Sequence, residues 1–229
     1  MDRNIPFSVV LLAGGKGTRM HSPIPKQYLK LKNQIVALYS FKIFASMPQV
    51  EQLIVVCEPE YREVFSSLPF KGRSLLFTQP GLRRQDSLYN ALLLLKGDPL
   101  VCVHDAARPF IDEELVHQVM NEAKNIGAAV LGVRAKSTIK VCNEAQMVLH
   151  TPDRRSVWEI QTPQAAKLSL LNQGFAKAMQ LNAAITDEGG LIELIDQPVK
   201  VVEGTYLNIK LTTPEDLLIA EQFLCTVIN

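Results

Sequence analysis

Apolar, β-branched runs recur along the chain with helix-like stretches between them, and this alternation restricts the architecture more than any other feature. The runs are FSVVLLA at 7–13, EQLIVVCE at 51–58, SLLFTQ at 74–79, PLVCVHD at 99–105 and AAVLGVR at 128–134. Residues 36–46, 84–95 and 112–124 space their apolar side chains three and four apart, the helical period. Asp112 followed by Glu113 and Glu114 marks a helix start, where the helix dipole favours acids. Strands this apolar must be covered on both sides. The pattern therefore predicts an α/β fold, a mostly parallel sheet with helices on both faces. Further helices are expected at 167–181, from Asp187 to Ile195 and from Pro214 onward, with Thr213 as N-cap of the last, and a strand at 198–203.

The texture changes at 136–158, where STIKV and MVLHT flank a polar turn at Asn143–Glu144. These runs are too polar for a central strand pair and read as a protruding β-hairpin arm. A lone hairpin is marginal in water, so the arm is expected to pack on its own body or on another subunit. No repeat, linker or low-complexity segment divides the chain, and residues 1–229 read as one domain.

The first strand runs into VVLLAGGKGTRMHSPIPK, residues 9–26. Gly14 and Gly15 allow the backbone to come close to a ligand, and Lys16, Arg19 and Lys26 follow within a short span. Cations beside exposed backbone N–H groups suit a phosphate chain. No window matches the P-loop pattern G-x-x-x-x-G-K-[ST]. A dinucleotide fingerprint fails at Met20, which stands where the third glycine belongs. Up to residue 34 the only acid is Asp2, whereas Arg3, Lys16, Arg19, Lys26, Lys30 and Lys32 are basic. An anion site near the N-terminus fits that bias.

The net charge of +1 argues against nucleic acid or an anionic membrane as the main partner. Cys57, Cys102, Cys142 and Cys225 form no C-x-x-C pair, which argues against a metal cluster or a disulfide framework. No apolar run approaches the ~18 residues of a membrane span, and the expected location is cytoplasmic.

Other segments supply partners for the loop. PLVCVHDAARPF ends in His104, Asp105 and Arg108. Asp105, past a buried strand, is a candidate to hold Mg²⁺ on a polyphosphate, because magnesium takes hard carboxylate oxygens together with phosphates. His104 reads as structural. Arg83, Arg84, Asp86 and Ser87 open a helix directly after Gly81 and could form a base or sugar pocket. TPDRR and QTPQ read as turns, ITDEGG as a capped helix start, and Lys210 lies between a short strand and the last helix.

Taken in order, LAGGKGTRM, PKQYL, GLRRQDSL, VHDAARPF, STIK, TPDR, QTPQ, ITDE and NIKLTTPEDL resemble the motifs of 2-C-methyl-D-erythritol 4-phosphate cytidylyltransferases of non-mevalonate isoprenoid biosynthesis. The resemblance covers almost the whole chain. It implies a Rossmann-like α/β domain with helices on both faces of the sheet, a homodimer clasped by the β-arm, and transfer of CMP from CTP to the methylerythritol phosphate. By motif, Ala13, Gly14 and Gly15 would line the nucleotide, and Gly81 and Ser87 the cytosine. Arg19 and Lys26 would neutralise the triphosphate, Lys210 would meet the α-phosphate, and Asp105 would serve ribose or Mg²⁺. Thr138 and Arg154 would reach into the partner's polyol-phosphate site, lined also by Arg108 and Thr162.

Three positions depart from the family habit. Many methylerythritol enzymes carry a second alanine where this chain has Gly14, Leu82 replaces a common acid, and Gly189 replaces an alanine after TDE. The AGGxGTRM form also occurs in ribitol-5-phosphate cytidylyltransferases, which stay open as the alternative, whereas HDAARPF and TPDR favour methylerythritol phosphate. An NAD-dependent oxidoreductase would need the missing third glycine. A non-catalytic nucleotide sensor could dispense with Lys26, Lys210 and Asp105, all of which are present.

Overall fold

The computed structural model describes every residue except Lys16, Thr18, Arg19, His21, Lys71, Arg73, Ile228 and Asn229. Its elements are β1 (Phe7–Leu12), β2 (Lys30–Leu31), β3 (Gln34–Ile35), α1 (Val36–Ser46), β4 (Val50–Val56), α2 (Arg62–Ser66), β5 (Ser74–Thr78), α3 (Arg84–Leu92) and β6 (Leu100–Asp105). They continue with α4 (Glu113–Ile126), β7 (Ala128–Arg134), β8 (Val141–Cys142), β9 (Val148–His150), β10 (Trp158–Lys167), α5 (Leu168–Leu181), α6 (Glu188–Glu193), β11 (Lys200–Glu203) and α7 (Pro214–Val227).

Seven strands form one sheet in the order β11-β7-β10-β6-β1-β4-β5. β1 runs parallel to β4 and β6, β4 to β5, and β11 to β7. Only β10 is antiparallel to its neighbours, so the expected mostly parallel α/β sheet is present. Its two faces follow from the period of two along a strand. Val9 and Leu11 of β1 pack in a core with Phe41 and Phe44 of α1 and Val116 and Met120 of α4. Val10, between them, faces the other way, into a core with Leu88 of α3, Leu171 and Phe175 of α5, and Leu191 of α6. Burying both faces is what the uninterrupted apolar runs required.

Helix starts largely follow their local chemistry. Asp112 accepts from Leu115 N at 2.8 Å and caps α4, and Asp187 accepts from Gly190 N at 3.0 Å and caps α6. The Asp86 carboxylate of α3 reaches back to Arg83 N at 3.0 Å. α7 begins at Pro214, as its sequence predicts.

β10 corrects the reading of QTPQ as a turn. Gln161–Gln164 lies inside a ten-residue strand at the centre of the sheet. Proline lacks the N–H that an interior strand uses for pairing, so a strand here runs against local propensity. The register of β10 on β7 shifts between Ile160 and Gln164, so Pro163 falls where the ladder is already irregular. The arm is present, but its paired strands are shorter than the sequence implied: Val141 pairs with His150 and Cys142 with Val148 in a separate two-stranded sheet. Residues 140–151 are exposed throughout. No helix among the described residues is long and apolar enough to cross a membrane.

Candidate active site

The carboxyl ends of β1, β4, β5 and β6 open onto one cleft of about 640 Å³, where ligands collect in sheets of this kind. Gly14, Gly15, Gly17 and Lys26 form one wall. Pro80, Gly81, Leu82, Arg83, Arg84 and Ser87 form the opposite wall, and Glu58, Asp105, Ala107, Lys210 and Thr212 complete it.

Glycine is needed where the two walls touch, at Gly14, and where the second wall folds onto the start of α3, at Gly81. A Cβ built on Gly14 would lie 2.3 Å from Pro80 Cβ, and one on Gly81 would lie 2.4 Å from Asp86 Cβ. The first loop is braced from behind. The buried Gln27 amide donates to Ala13 O at 2.7 Å and Gly15 O at 2.8 Å, and the Tyr28 hydroxyl donates to Ala13 O at 2.8 Å. Tyr28 is itself stacked on Tyr61 with ring centroids 3.7 Å apart. Ala13 itself does not line the cleft: its side chain is buried, its carbonyl is taken by Gln27 and Tyr28, and its N–H donates to Val56 O at 2.9 Å.

Asp105 is the electrostatic centre. Its Oδ2 accepts from Lys210 Nζ at 2.6 Å, and its Oδ1 from Arg84 Nε at 3.1 Å and Arg84 Nη2 at 3.0 Å. Burial works against the charge of this carboxylate, but Arg84 and Lys210 outweigh it and hold the group below the usual carboxylate range. Arg84 also donates through Nη1 to Glu188 Oε1 at 2.6 Å and through Nη2 to Oε2 at 3.2 Å. Glu188 is almost wholly buried. Desolvation raises its proton affinity, although the Arg84 charge opposes that rise.

Behind Asp105, the buried Thr162 hydroxyl accepts from Asp105 N at 3.0 Å and lies 3.2 Å from His104 Nδ1. His104 Nε2 is 3.1 Å from Arg108 O, and burial holds its imidazolium pKa down at about 4. His104 is structural, as its sequence position implied. Arg108 Nη1 donates to Asn208 O at 2.7 Å, and Asn208 Nδ2 donates to Thr162 O at 2.9 Å. The Ser87 hydroxyl is likewise engaged, accepting from Gly81 N at 3.0 Å and donating to Arg83 O at 3.2 Å.

Of the residues singled out in the sequence, Gly14, Gly15, Lys26, Gly81, Ser87, Asp105 and Lys210 meet in the cleft. Arg19, with Lys16, lies outside the described residues. Arg108 and Thr162 sit beyond the cleft wall, and Thr162 supports the Asp105 turn from beneath instead of lining a surface. Thr138 and Arg154 are on the exposed arm, where Arg154 Nη1 donates to Lys136 O at 2.9 Å. Sequence reading undervalued Arg84, Glu188 and Gln27. Their motifs were visible, but no spacing rule links residue 84 to residue 188.

A mostly parallel sheet with a glycine-walled cleft at its strand ends, where lysine and arginine close on the Asp105 carboxylate, defines an α/β enzyme of the nucleotide-handling class. Residues 7–226 match the family model described as IspD, 2-C-methyl-D-erythritol 4-phosphate cytidylyltransferase. The chain belongs to that family. Its curated relatives include the chloroplastic 2-C-methyl-D-erythritol 4-phosphate cytidylyltransferase of Oryza sativa subsp. japonica, 45% identical over 95% of this chain and 74% of that protein. The enzyme of the same name from Geobacillus kaustophilus is 40% identical over 96% of this chain and 97% of its own. Among solved structures, the 4-diphosphocytidyl-2C-methyl-D-erythritol synthase of Anaerococcus prevotii superposes with a TM-score of 0.85 at 28% identity, covering 96% of each chain. The Francisella tularensis cytidylyltransferase superposes at 0.79 with 31% identity, over 95% of this chain and 99% of that one.

Proposed function

We propose that this chain transfers CMP from CTP to 2-C-methyl-D-erythritol 4-phosphate, giving 4-diphosphocytidyl-2-C-methyl-D-erythritol and pyrophosphate. The observation that carries the reading is the meeting of Gly14, Gly15, Lys26, Gly81, Asp105 and Lys210, drawn from distant segments, in one cleft. An oxygen of the acceptor's phosphate attacks the α-phosphorus of CTP and forms a new P–O bond. The bond from that phosphorus to the α–β bridging oxygen breaks, and pyrophosphate leaves with the electron pair. The nucleophile is already an anion near neutral pH, so no general base is required. The obstacle is charge repulsion, and the remedy is alignment among fixed cations.

In this reading the glycine loop receives the triphosphate, with Lys26 and Arg19 offsetting its charge and Lys210 meeting the α-phosphate. Asp105 holds the Lys210 ammonium at 2.6 Å at the cleft wall, which limits the reorganisation needed when the nucleotide arrives. Gly81 and Ser87 enclose the base edge. Mg²⁺, which takes one or two protein carboxylates and its remaining ligands from phosphates and water, would be held by Asp105 as a single contact, through lone pairs its oxygens have left beyond those accepting from Lys210 and Arg84. When bound, it would neutralise phosphate charge.

The polyol half is assigned to Arg108, steadied through Asn208 by the buried Thr162 beneath it, and to Thr138 and Arg154 of a second copy, so a homodimer joined by the arm is part of the proposal. One domain spanning 1–229 is also part of it, as is a cytoplasmic setting. Unpaired Cys57, Cys102, Cys142 and Cys225 support a reducing compartment.

The test is pyrophosphate release from CTP, with methylerythritol phosphate compared against ribitol 5-phosphate. Release with the first at least tenfold faster supports the reading; preference for ribitol 5-phosphate refutes it.

A further inference from the structure

Five motif fragments are joined by one chain of hydrogen bonds that extends past the cleft. Gln164 of β10 accepts from Gly189 N at 2.9 Å and donates to Asp187 Oδ2 at 3.1 Å, which pins the first turn of α6 to the sheet. That turn carries Glu188, which grips Arg84 through both carboxylate oxygens. Arg84, at the start of α3, crosses to Asp105 at the end of β6, and Asp105 holds Lys210. Glu188 has a side-chain exposure of 3%, whereas Arg84 keeps 27% and Lys210 36%. The buried end of the chain is therefore an anchor, and its accessible end faces the cleft.

A guanidinium donates in a fixed planar fork, so holding one edge on Glu188 sets where the other edge points. If Glu188 is removed, Arg84 keeps one carboxylate partner and can turn about its long side chain toward Asp105 or toward an arriving anion. Asp105 would then lose the constraint on Oδ1, and Lys210 the fixed acceptor that holds its ammonium. A salt bridge serving only to fasten α6 would have no reason to end on two cleft residues.

Resting on the cytidylyltransferase reading, we propose that Glu188 is a positioning residue for the nucleotide half of the site, acting through Arg84 to hold Asp105 and Lys210 in place. Glu188→Gln keeps the volume and one acceptor but removes the charge pair. Its CTP affinity, measured by calorimetry, and its CTP KM are expected to weaken at least tenfold. The polyol-phosphate KM is expected to change less than twofold, and Glu188→Asp should recover part of the loss. In an Arg84→Ala background, Glu188→Gln should add less than a further twofold.

A folded Glu188→Gln enzyme with wild-type CTP affinity would overturn the proposal. Equal rises in both KM values, or full additivity with Arg84→Ala, would do the same. Wild-type protein that binds CTP yet releases no pyrophosphate with either polyol phosphate would instead refute the functional reading, and calorimetry with CTP alone would still decide the role of Glu188.

Discussion

Gly14→Ala tests how closely the two walls of the nucleotide cleft are fitted. The added Cβ would lie 2.3 Å from Pro80 Cβ and 2.8 Å from Pro80 Cγ. Comfortable carbon–carbon contact begins at about 3.5 Å, so the loops after β1 and β5 must part by roughly 1 Å. The proline ring cannot rotate away. Overpacking of this kind costs about 1–3 kcal/mol, and a domain of this size loses about 2–4 °C of Tm per kcal/mol. Displacement of a binding wall by 1 Å can reduce turnover by about 10²-fold. Gly14→Ala should therefore lower kcat/KM for CTP by about 10–100-fold in a pyrophosphate-release assay, with a modest fall in Tm. The structure also names the remedy. Pro80→Gly removes both clashing atoms, so in that background Gly14→Ala should alter kcat/KM less than twofold, whereas Pro80→Ala, which keeps the Cβ, should not rescue. A Gly14→Ala enzyme with wild-type CTP kinetics, or one not rescued by Pro80→Gly, would refute the reasoning.

Lys210→Met should cut kcat/KM for CTP by about 10²–10³-fold, corresponding to about 3–4 kcal/mol for a lost transition-state donor, with initial rates as the readout. Arg154→Ala should raise the polyol-phosphate KM far more than the CTP KM, and mixing it with a Lys26 variant should restore activity if the arm acts on a second copy; equal effects on both KM values would count against that division. His104 is held neutral, with its pKa moved from the ordinary 6.5 to about 4 by burial. The unfolded chain then binds the extra proton first, so stability is complete above about pH 6.5 and falls as pH drops toward 4, by on the order of 3 kcal/mol. Urea unfolding across that window should show a shallower pH slope for His104→Asn. Burial raises the Cys57 thiol to about 11 and moves Cys102 in the same direction, so a thiol reagent at pH 8 should modify the exposed Cys142 and Cys225 in native protein and reach the other two only after unfolding.

The cleft wall was legible where it is local. Gly14 and Gly15 follow β1, Lys26 comes a short way after them, and Asp105 ends a recognisable strand, so rules for strand ends and glycine loops reach them. β10 was not legible. A proline and several polar residues mask a strand whose neighbours come from 100–105 and 128–134, and it is tertiary pairing that overrides local propensity there. Thr162 shows the same limit. Its motif pointed to a substrate contact, yet its hydroxyl is buried against Asp105 N and His104.

The sequence alone determined the α/β class, the alternation of buried strands and helices, the place of the glycine loop at a strand end and, through its motifs, the family. Period-two and period-3.6 patterns and glycine spacing are properties of short windows, and they survive without coordinates. Only the tertiary structure decided which charges meet. Arg84 and Glu188 are 104 residues apart, and nothing in their spacing binds them. Their ion pair exists because β10 enters the middle of the sheet and carries Gln164 beneath α6, bringing a buried carboxylate within reach of the arginine that faces Asp105.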